Sequence, residues 1–228
     1  MTTNELNFRR ETELATKITQ NCPSLIKYLG TAKGKDGIRY ILMEYFEGYT
    51  IQSFINCAGE TGFVINPDQF LKMAKHLLRG LACMHRHGIA HSDINDGNIM
   101  FNKKEMKIID YGLLCTTLVY PSSDKSLSCY GDHHLLDKYK EDRKFSGELW
   151  LPSDYPFQHD INELGEIFEE ILSSSDFREK YKKDSRTAKI VELIANLTNE
   201  STTPRYMYTA QQALDILEKI PESSDSLY

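Results

Sequence analysis

The sequence of 228 residues is long enough for one substantial domain or for two small lobes that share a cleft. Hydrophobic residues make up 40% of the chain and aromatic residues 11%, a composition that excludes wholesale disorder. The 33 acidic residues outnumber the 27 basic ones, which gives a formal net charge of −6 without any long basic run. A general nucleic-acid-binding role is therefore disfavoured, because neutralising phosphates needs clustered Lys and Arg.

The predicted elements, taken in chain order, begin with a helix over residues 5–20, where apolar residues recur at roughly helical spacing. Two β-rich runs, 25–31 and 38–43, flank a glycine-containing turn and indicate a hairpin. Asn66 and Pro67 are typical of a helix N-terminus, and the apolar positions that follow predict a long helix with one buried face.

The second half of the chain is predicted to be mainly helical. Strands over 98–101 and 106–110 form a second hairpin, and the stretch 113–159, which has no clear period, is expected to be a long loop. Further helices are predicted at three places: one capped by Asp160, one over 187–197, and one over 210–220. This order predicts an α+β fold with a small β-containing lobe and a mainly helical lobe across a cleft.

The five cysteines, at positions 22, 57, 83, 115 and 129, are well separated and form no CxxC pair. This spacing argues against a disulfide framework or a structural zinc site and favours a reducing compartment. The N-terminus lacks the apolar core of a signal peptide, and no stretch approaches the ~20 apolar residues of a membrane span. We therefore expect an intracellular protein, cytoplasmic or nuclear, without a membrane partner.

The residues that suggest chemistry lie at the two ends of the second predicted hairpin. Transfer of a phosphoryl group needs a carboxylate to receive the proton of the acceptor hydroxyl, and oxygen ligands to hold magnesium against the phosphates. Asp93 can supply the base, while Asn98 and Asp110 can supply metal ligands from opposite ends of one hairpin. The alternative is that these three are ordinary turn residues, as Asp and Asn often are.

The pattern HxDxxxxN at residues 91–98, followed by Asp-Tyr-Gly at 110–112, resembles the catalytic and metal-binding loops of the protein kinase superfamily. Asp160 with Leu164-Gly165 resembles the helix whose Asp braces the catalytic-loop backbone in that family. The resemblance covers roughly residues 8–218 and implies a protein-kinase-like fold. It also implies ATP and Mg²⁺ as cofactors and transfer of the γ-phosphate to a protein Ser/Thr hydroxyl.

The same resemblance implies a set of nucleotide-binding residues. Met43 would be the gatekeeper at the start of a hinge, and the backbone of Glu44 and Phe46 would hydrogen-bond adenine. Met100 would form the apolar floor beneath the base. Glu13 would be the front-helix glutamate that pairs with the strand-three Lys.

The front of the sequence departs from the family pattern. No Gly-rich loop and no Lys precede Glu13, so we expect an N-terminally shortened domain without that lid and that cationic anchor. Glu11 is the alternative glutamate if the register slips. Lys17 would occupy a position that is usually apolar, which puts the register of the front helix in doubt.

Further departures concern regulation and the substrate. Ser92 replaces the Arg that normally pairs with a phosphorylated activation loop, so we do not expect the protein to be switched that way. Asn95 stands where protein-serine/threonine kinases carry Lys. Residues 147–153 resemble the end of the activation segment only loosely, which leaves Arg205 without its expected partner.

These features divide the sequence into a truncated N-lobe over 1–47, a helical C-lobe over 48–221 and a disordered tail over 222–228. The first functional hypothesis is an active protein kinase, whose partner is a protein substrate. The second is a catalytically impaired pseudokinase that binds a partner kinase or its substrate. The third is a small-molecule kinase of the aminoglycoside or sugar type, which shares HxDxxxxN.

Overall fold

A computed structural model describes residues 3–102, 104–112, 114–116, 128–129, 155–174, 176–198 and 208–222. The predictions made for 147–153 and for Arg205, and most of the predicted 113–159 loop, lie outside the described residues. The described part contains seven α-helices: α1 (Thr3–Thr19), α2 (Ile51–Thr61), α3 (Pro67–Arg86), α4 (Tyr155–Ser173), α5 (Phe177–Lys180), α6 (Ser185–Leu197) and α7 (Ala210–Glu218).

Eight short strands lie in the same segments: β1 (Tyr28–Lys33), β2 (Arg39–Met43), β3 (Tyr49–Thr50), β4 (Ile89–Ala90), β5 (Ile99–Phe101), β6 (Met106–Ile108), β7 (Cys115–Thr116) and β8 (Ser128–Cys129). They form three small antiparallel sheets, ordered β1-β2, β3-β5-β6 and β4-β7-β8. Small sheets at the front and helices behind them confirm the predicted α+β, protein-kinase-like fold class.

The front of the molecule consists of α1 and the β1–β2 hairpin, both of which the sequence predicts. The hairpin pairs Tyr28 with Met43 at its base and Lys33 with Arg39 near its turn. Two backbone bonds join the residues before β1 to β6: the Ile26 N–H donates to Ile108 O, and the Ile108 N–H to Ser24 O, both at 2.9 Å. The front hairpin is therefore attached to the hairpin that carries the predicted catalytic residues.

Helix α3 is the central helix of the core. The Asn66 side chain accepts from the Gln69 backbone N–H, and the Gln69 side chain accepts in return from the Asn66 N–H, a reciprocal capping box with Pro67 at the first turn. The face predicted from the apolar spacing is buried, with Phe70, Leu77, Leu78 and Leu81 at no more than 1% exposure. Each such side chain contributes about 1.5–3 kcal/mol by burial.

Helix α4 corrects one sequence-based expectation. The helix begins at Tyr155, so Asp160 lies inside it and is not its N-cap. Its carboxylate is fully buried and turned toward the loop after β4. Close packing explains the glycine that follows: a Cβ on Gly165 would lie 2.8 Å from the Cβ of Leu197 at the end of α6. The contacts thus support the other interpretation of Asp160, in which it braces the loop backbone as in the family that the sequence resembles.

Helix α2 was not predicted from the sequence, although its termini carry clear signals. Thr50 accepts from the Ser53 backbone N–H as the N-cap, and Gly62 ends the helix with a φ of 67°. Ile51 and Ala58 are buried, and Phe54 and Ile55 are partly buried against the core. The helix is short and directly follows the predicted hinge, so its apolar spacing was not recognised as helical.

The cysteine interpretation is wrong on one point, because Cys22 and Cys83 form a disulfide across a sequence separation of 61 residues. The bond joins the segment after α1 to α3, with Cα atoms 5.8 Å apart. Spacing along the sequence could not show this, since pairing depends on the distance in the fold. Cys57 is free and exposed. The argument from cysteines for a reducing compartment therefore fails.

None of the helices in the described segments combines the length and the apolar content that a bilayer crossing requires.

Candidate active site

The predicted catalytic residues lie at the base of the β5–β6 hairpin. Asp93 and Asn98 belong to the loop that connects β4 to β5, and Asp110 is the second residue after β6. The Ile109 backbone N–H donates to the Asn98 carbonyl at 2.9 Å, which continues the β5–β6 ladder by one bond. The hairpin therefore brings the Asn98 and Asp110 backbones side by side, as the sequence predicts.

Two side-chain amides hold the Asp93 carboxylate. Asn98 Nδ2 donates to Asp93 Oδ2 at 2.8 Å and to the Asp93 carbonyl at 3.0 Å. Asn95 Nδ2 donates to Asp93 Oδ1 at 3.2 Å. Asn95 also caps the 3-10 turn Asp96–Asn98, where its Oδ1 accepts from the Gly97 and Asn98 N–H groups. The carboxylate is thus fixed in orientation before any substrate arrives.

The donor set also fits a magnesium ion. Because Nδ2 of Asn98 is turned toward Asp93, its Oδ1 faces away and offers a hard oxygen. Asp110 is exposed, and one of its carboxylate oxygens accepts from the Gly112 N–H at 3.1 Å, which leaves the other oxygen for a cation. Asp110 also has a φ of 63°, an uncommon backbone conformation for a non-glycine residue. Such conformations cluster at functional sites.

A buried carboxylate anchors the loop from behind. Asp160 Oδ2 accepts from the His91 N–H at 2.8 Å, and Oδ1 accepts from the Ser92 N–H at 2.7 Å. His85 Nε2 lies 2.8 Å from the same Oδ2. These contacts over-determine the loop at Ser92, whose φ is 66°.

The ionisation of Asp160 follows from these contacts. Burial alone would raise the pKa of this carboxyl, but the hydrogen bond and charge of His85, together with the contacts of His91, outweigh burial and lower the pKa. Asp160 therefore remains an anion at neutral pH and accepts both backbone N–H groups.

Tyr111 connects the loop that carries Asp110 to the front of the molecule. Its hydroxyl shares a proton between the carbonyls of Ile26, at 3.1 Å, and Ile108, at 2.9 Å. Burial raises its pKa well above the ordinary value for tyrosine, so the hydroxyl stays protonated. The ring packs against His91 with centroids 5.7 Å apart, and His91 Nε2 lies 3.0 Å from Ile109 O. A phenylalanine in this position would lack the two bonds.

The predicted hinge lies between β2 and β3. Met43 ends β2 and is 46% exposed, and Phe46 is partly buried. The Glu44 N–H donates to Lys27 O at 2.9 Å, so an adenine could use Glu44 only through its carbonyl. Met100 lies in β5, where it pairs with Thr50 of β3.

The segment after the hinge lies directly against β5. A Cβ on Gly48 would lie 2.4 Å from the carbonyl oxygen of Phe101, so only glycine permits this approach. Asn102 Nδ2 donates to the Glu47 carbonyl at 3.1 Å. The strand that carries Met100 is therefore a neighbour of the predicted hinge.

Glu13 lies on α1 with an exposed side chain, while Ala15 and Ile18 of the same helix are buried. Lys17 is exposed as well, so it does not occupy an internal apolar position. The inward face of α1 therefore consists of apolar residues and threonines, with Thr12 and Thr19 also buried.

The sequence analysis missed one buried cation behind the site. Lys107 of β6 is 6% exposed, and its ammonium donates to Pro23 O at 2.7 Å and lies 3.4 Å from Glu44 Oε1. The signal was a lysine in an otherwise apolar strand, since such a residue must find partners when it is buried. Asn95 is a second residue whose positioning role only the geometry reveals.

Comparison with known proteins agrees with this geometry. A family model of the protein kinase domain matches residues 1–226. Over 179 residues the chain is 35% identical to mitogen-activated protein kinase kinase kinase 3 of Arabidopsis thaliana, a match covering 76% of this chain and 25% of that protein.

Two bacterial relatives give similar matches. Serine/threonine-protein kinase PknB of Mycolicibacterium smegmatis is 30% identical over 110 residues, covering 47% of this chain and 17% of the relative. Serine/threonine-protein kinase PrkC of Bacillus subtilis is 28% identical over 130 residues, covering 57% and 19%. The chain thus spans at most about a quarter of the length of these three relatives.

Proposed function

Because the chain belongs to the protein kinase domain family, we propose that it transfers the γ-phosphate of ATP to a serine or threonine hydroxyl of a protein substrate. The observation that carries the proposal is the pair of hydrogen bonds that Asn98 Nδ2 donates to Asp93. They hold the Asp93 carboxylate in place, and the amide oxygen of Asn98 would bind a metal ion together with Asp110. A base and two metal ligands at the open end of one hairpin suit phosphoryl transfer.

In this proposal Asp93 receives the proton of the acceptor hydroxyl. Asn95 and Asn98 orient its carboxylate, and Asp160 fixes the backbone of the loop that carries it. Asn98 and Asp110 would hold Mg²⁺, which supplies charge stabilisation to the transferred phosphoryl group when it is bound. Preorganised groups of this kind lower the barrier because they do not reorganise during the reaction.

The nucleotide residues are part of the same proposal. The Glu44 carbonyl and the Phe46 backbone would bind adenine, Met43 would act as the gatekeeper, and Met100 would lie beneath the base. Support comes from the contact between the hinge segment and β5. The pairing role of Glu13 stays a prediction.

The domain limits and the cellular location are also proposals. We propose that the chain divides into a shortened N-lobe over 1–47, a helical C-lobe over 48–221 and a tail over 222–228. An intracellular location stays a prediction, now without the support of the cysteine argument.

The experiment is transfer of labelled phosphate from Mg-ATP to generic protein substrates. We expect the wild-type protein to label them, and we expect Asp110→Ala to lower the rate by at least about 100-fold, since charge-stabilising groups are worth orders of magnitude. Asp215→Ala, which removes an exposed carboxylate from α7, is the matched control and should retain the wild-type rate.

Equal labelling by the wild-type protein and Asp110→Ala would sink the proposal. A thermal shift with Mg-ATP but no transfer would select the impaired binding module instead. Phosphorylation of an aminoglycoside or a sugar, without protein, would select a small-molecule kinase.

A further inference from the structure

A cavity of about 650 Å³ opens between α2, α3 and the turn of the β5–β6 hairpin. Its volume lies within the range of about 300–1,000 Å³ that is typical of ligand sites. Asp93, Asn98 and Asp110 do not line it. The β5–β6 hairpin nevertheless connects the cavity with the candidate active site. Its turn borders the cavity, and its open end carries Asn98 and Asp110.

The cavity is open on one side, and we call it the groove from here on. Its floor is aromatic. Phe54 lies at its centre and contacts both Phe63 and Phe101 edge to face, each with ring centroids 5.7 Å apart. Phe63 remains 44% exposed, although a large apolar side chain gains about 1.5–3 kcal/mol when it is buried. The floor therefore offers apolar surface that a second molecule could cover.

The rim of the groove carries an excess of positive charge on a chain whose net charge is −6. Its cationic residues outnumber its carboxylates by four to two: Lys72, Lys75, Arg79 and Lys104 against Glu105 and Glu222. Burial lowers the pKa of His76 in the wall, so this imidazole is neutral at pH 7 and adds no charge. Two of the rim cations form ion pairs: Lys75 with Glu222 at 2.7 Å, and Arg79 with Glu218 at 2.9 Å.

We propose that this groove docks a segment of a partner protein in which an aromatic or aliphatic side chain is flanked by acidic residues. The apolar side chain would cover Phe54 and Phe63, and the carboxylates would face Lys72 and Lys104. Charge complementarity favours an acidic segment over a basic one, because like charges across an interface are strongly unfavourable. Grooves between helices commonly bind short peptide segments through a few apolar anchors.

This inference goes beyond the proposed phosphotransfer and can be tested without nucleotide. A random decapeptide library displayed on phage is selected against the wild-type protein. We expect enriched sequences to place Leu, Phe or Trp between Asp or Glu residues. Binding of a fluorescent enriched peptide is then measured by anisotropy, with a dissociation constant that rises as salt is added.

Two variants test the groove directly. Lys72→Glu with Lys104→Glu should weaken the peptide at least tenfold, and Phe63→Ser should weaken it by a similar factor. Lys35→Glu with Lys183→Glu changes the net charge equally at exposed positions outside the groove and should bind like the wild-type protein. Thermal melting confirms that every variant is folded.

Three outcomes would overturn the proposal. The first is an absence of enriched sequences, or enrichment of basic ones. The second is equal peptide binding by the groove and control variants. The third is self-association that the groove variants abolish while no peptide binds, which would assign the groove to a second copy of this chain.

Discussion

The β5–β6 hairpin with its flanking loops and the front hairpin are built in opposite ways. Between His91 and Gly112, side chains and backbone of the described residues hydrogen-bond to each other repeatedly, and His91, Ser92 and Tyr111 are buried. On the front hairpin Tyr28 is buried, but five other large apolar residues are exposed: Leu29 by 64%, Ile38 by 55%, Tyr40 by 47%, and Leu42 and Met43 by 46% each. A two-stranded hairpin alone is marginally stable in water.

This difference means that the two hairpins should respond differently to substitution. The loop that carries the predicted catalytic residues depends on polar bonds whose loss leaves buried donors without an acceptor, so substitutions there should be severe. The front hairpin depends on a few connections at its base, among them the Cys22–Cys83 disulfide and the Tyr111 hydroxyl. Its outer residues should tolerate change. Denaturation measurements on substituted variants test this contrast.

The largest effect is expected for Asp160→Ala. The substitution leaves the His91 and Ser92 N–H groups and the His85 ring without their buried acceptor. Removing one member of a buried charged pair typically destabilises a protein by about 3–5 kcal/mol. Urea denaturation should show a loss of this size. Asp160→Asn, which retains one acceptor oxygen, should lose less, and a loss below about 1 kcal/mol for the alanine variant would contradict the anchoring role.

The same carboxylate predicts a pH dependence. The folded-state pKa of Asp160 lies below its unfolded-state value of about 3.9, so its ionised form stabilises the fold above that value. This contribution should disappear as the pH falls from about 5 through the folded-state pKa. The difference in unfolding free energy between wild type and Asp160→Asn should shrink over the same range, and a constant difference would argue against an ionised Asp160.

The second effect is loss of the disulfide. Replacing Cys22 and Cys83 by Ser should lower the unfolding free energy by roughly 2–4 kcal/mol, because the bond closes a long loop in the unfolded chain. Adding a thiol reductant to the wild-type protein should reproduce the loss. Cys57→Ser is the control, since Cys57 is exposed and free. Equal stability of the oxidised and reduced protein would show that the disulfide does not stabilise the front of the molecule.

The sequence predicted the parts of the molecule that short-range patterns encode. The buried face of α3, its Asn66 cap and the two hairpins follow from periodicity and turn signals. The placement of Asn98 and Asp110 at the same end of the second hairpin follows from how a hairpin closes. The disulfide could not be predicted in this way, because it joins residues 61 positions apart. Helix-cap patterns misplaced Asp160 at a helix start, since an Asp near a helix start is ordinarily interpreted as a cap, and only the family resemblance indicated that it braces the loop.

A smaller effect is expected for Tyr111→Phe. The substitution keeps the buried ring but removes the proton shared by the Ile26 and Ile108 carbonyls. Loss of one buried hydrogen-bonded hydroxyl should lower the unfolding free energy by about 1–2 kcal/mol. The variant should still pack against Tyr28, whose ring centroid lies 5.4 Å away. Tyr45→Phe, at a 90% exposed position, is the matched control and should change nothing measurable.

The smallest effect is expected on the outer face of the front hairpin. Leu42→Thr replaces a 46% exposed leucine by a residue that also favours strands, so the unfolding free energy should change by no more than about 0.5 kcal/mol. Leu25→Thr, at a fully buried position just before the hairpin, should lose about 2 kcal/mol or more, because it places a hydroxyl in the core. Similar losses in the two variants would mean that the outer face is covered in solution, and the contrast between the hairpins would then reflect a missing contact instead of a tolerant surface.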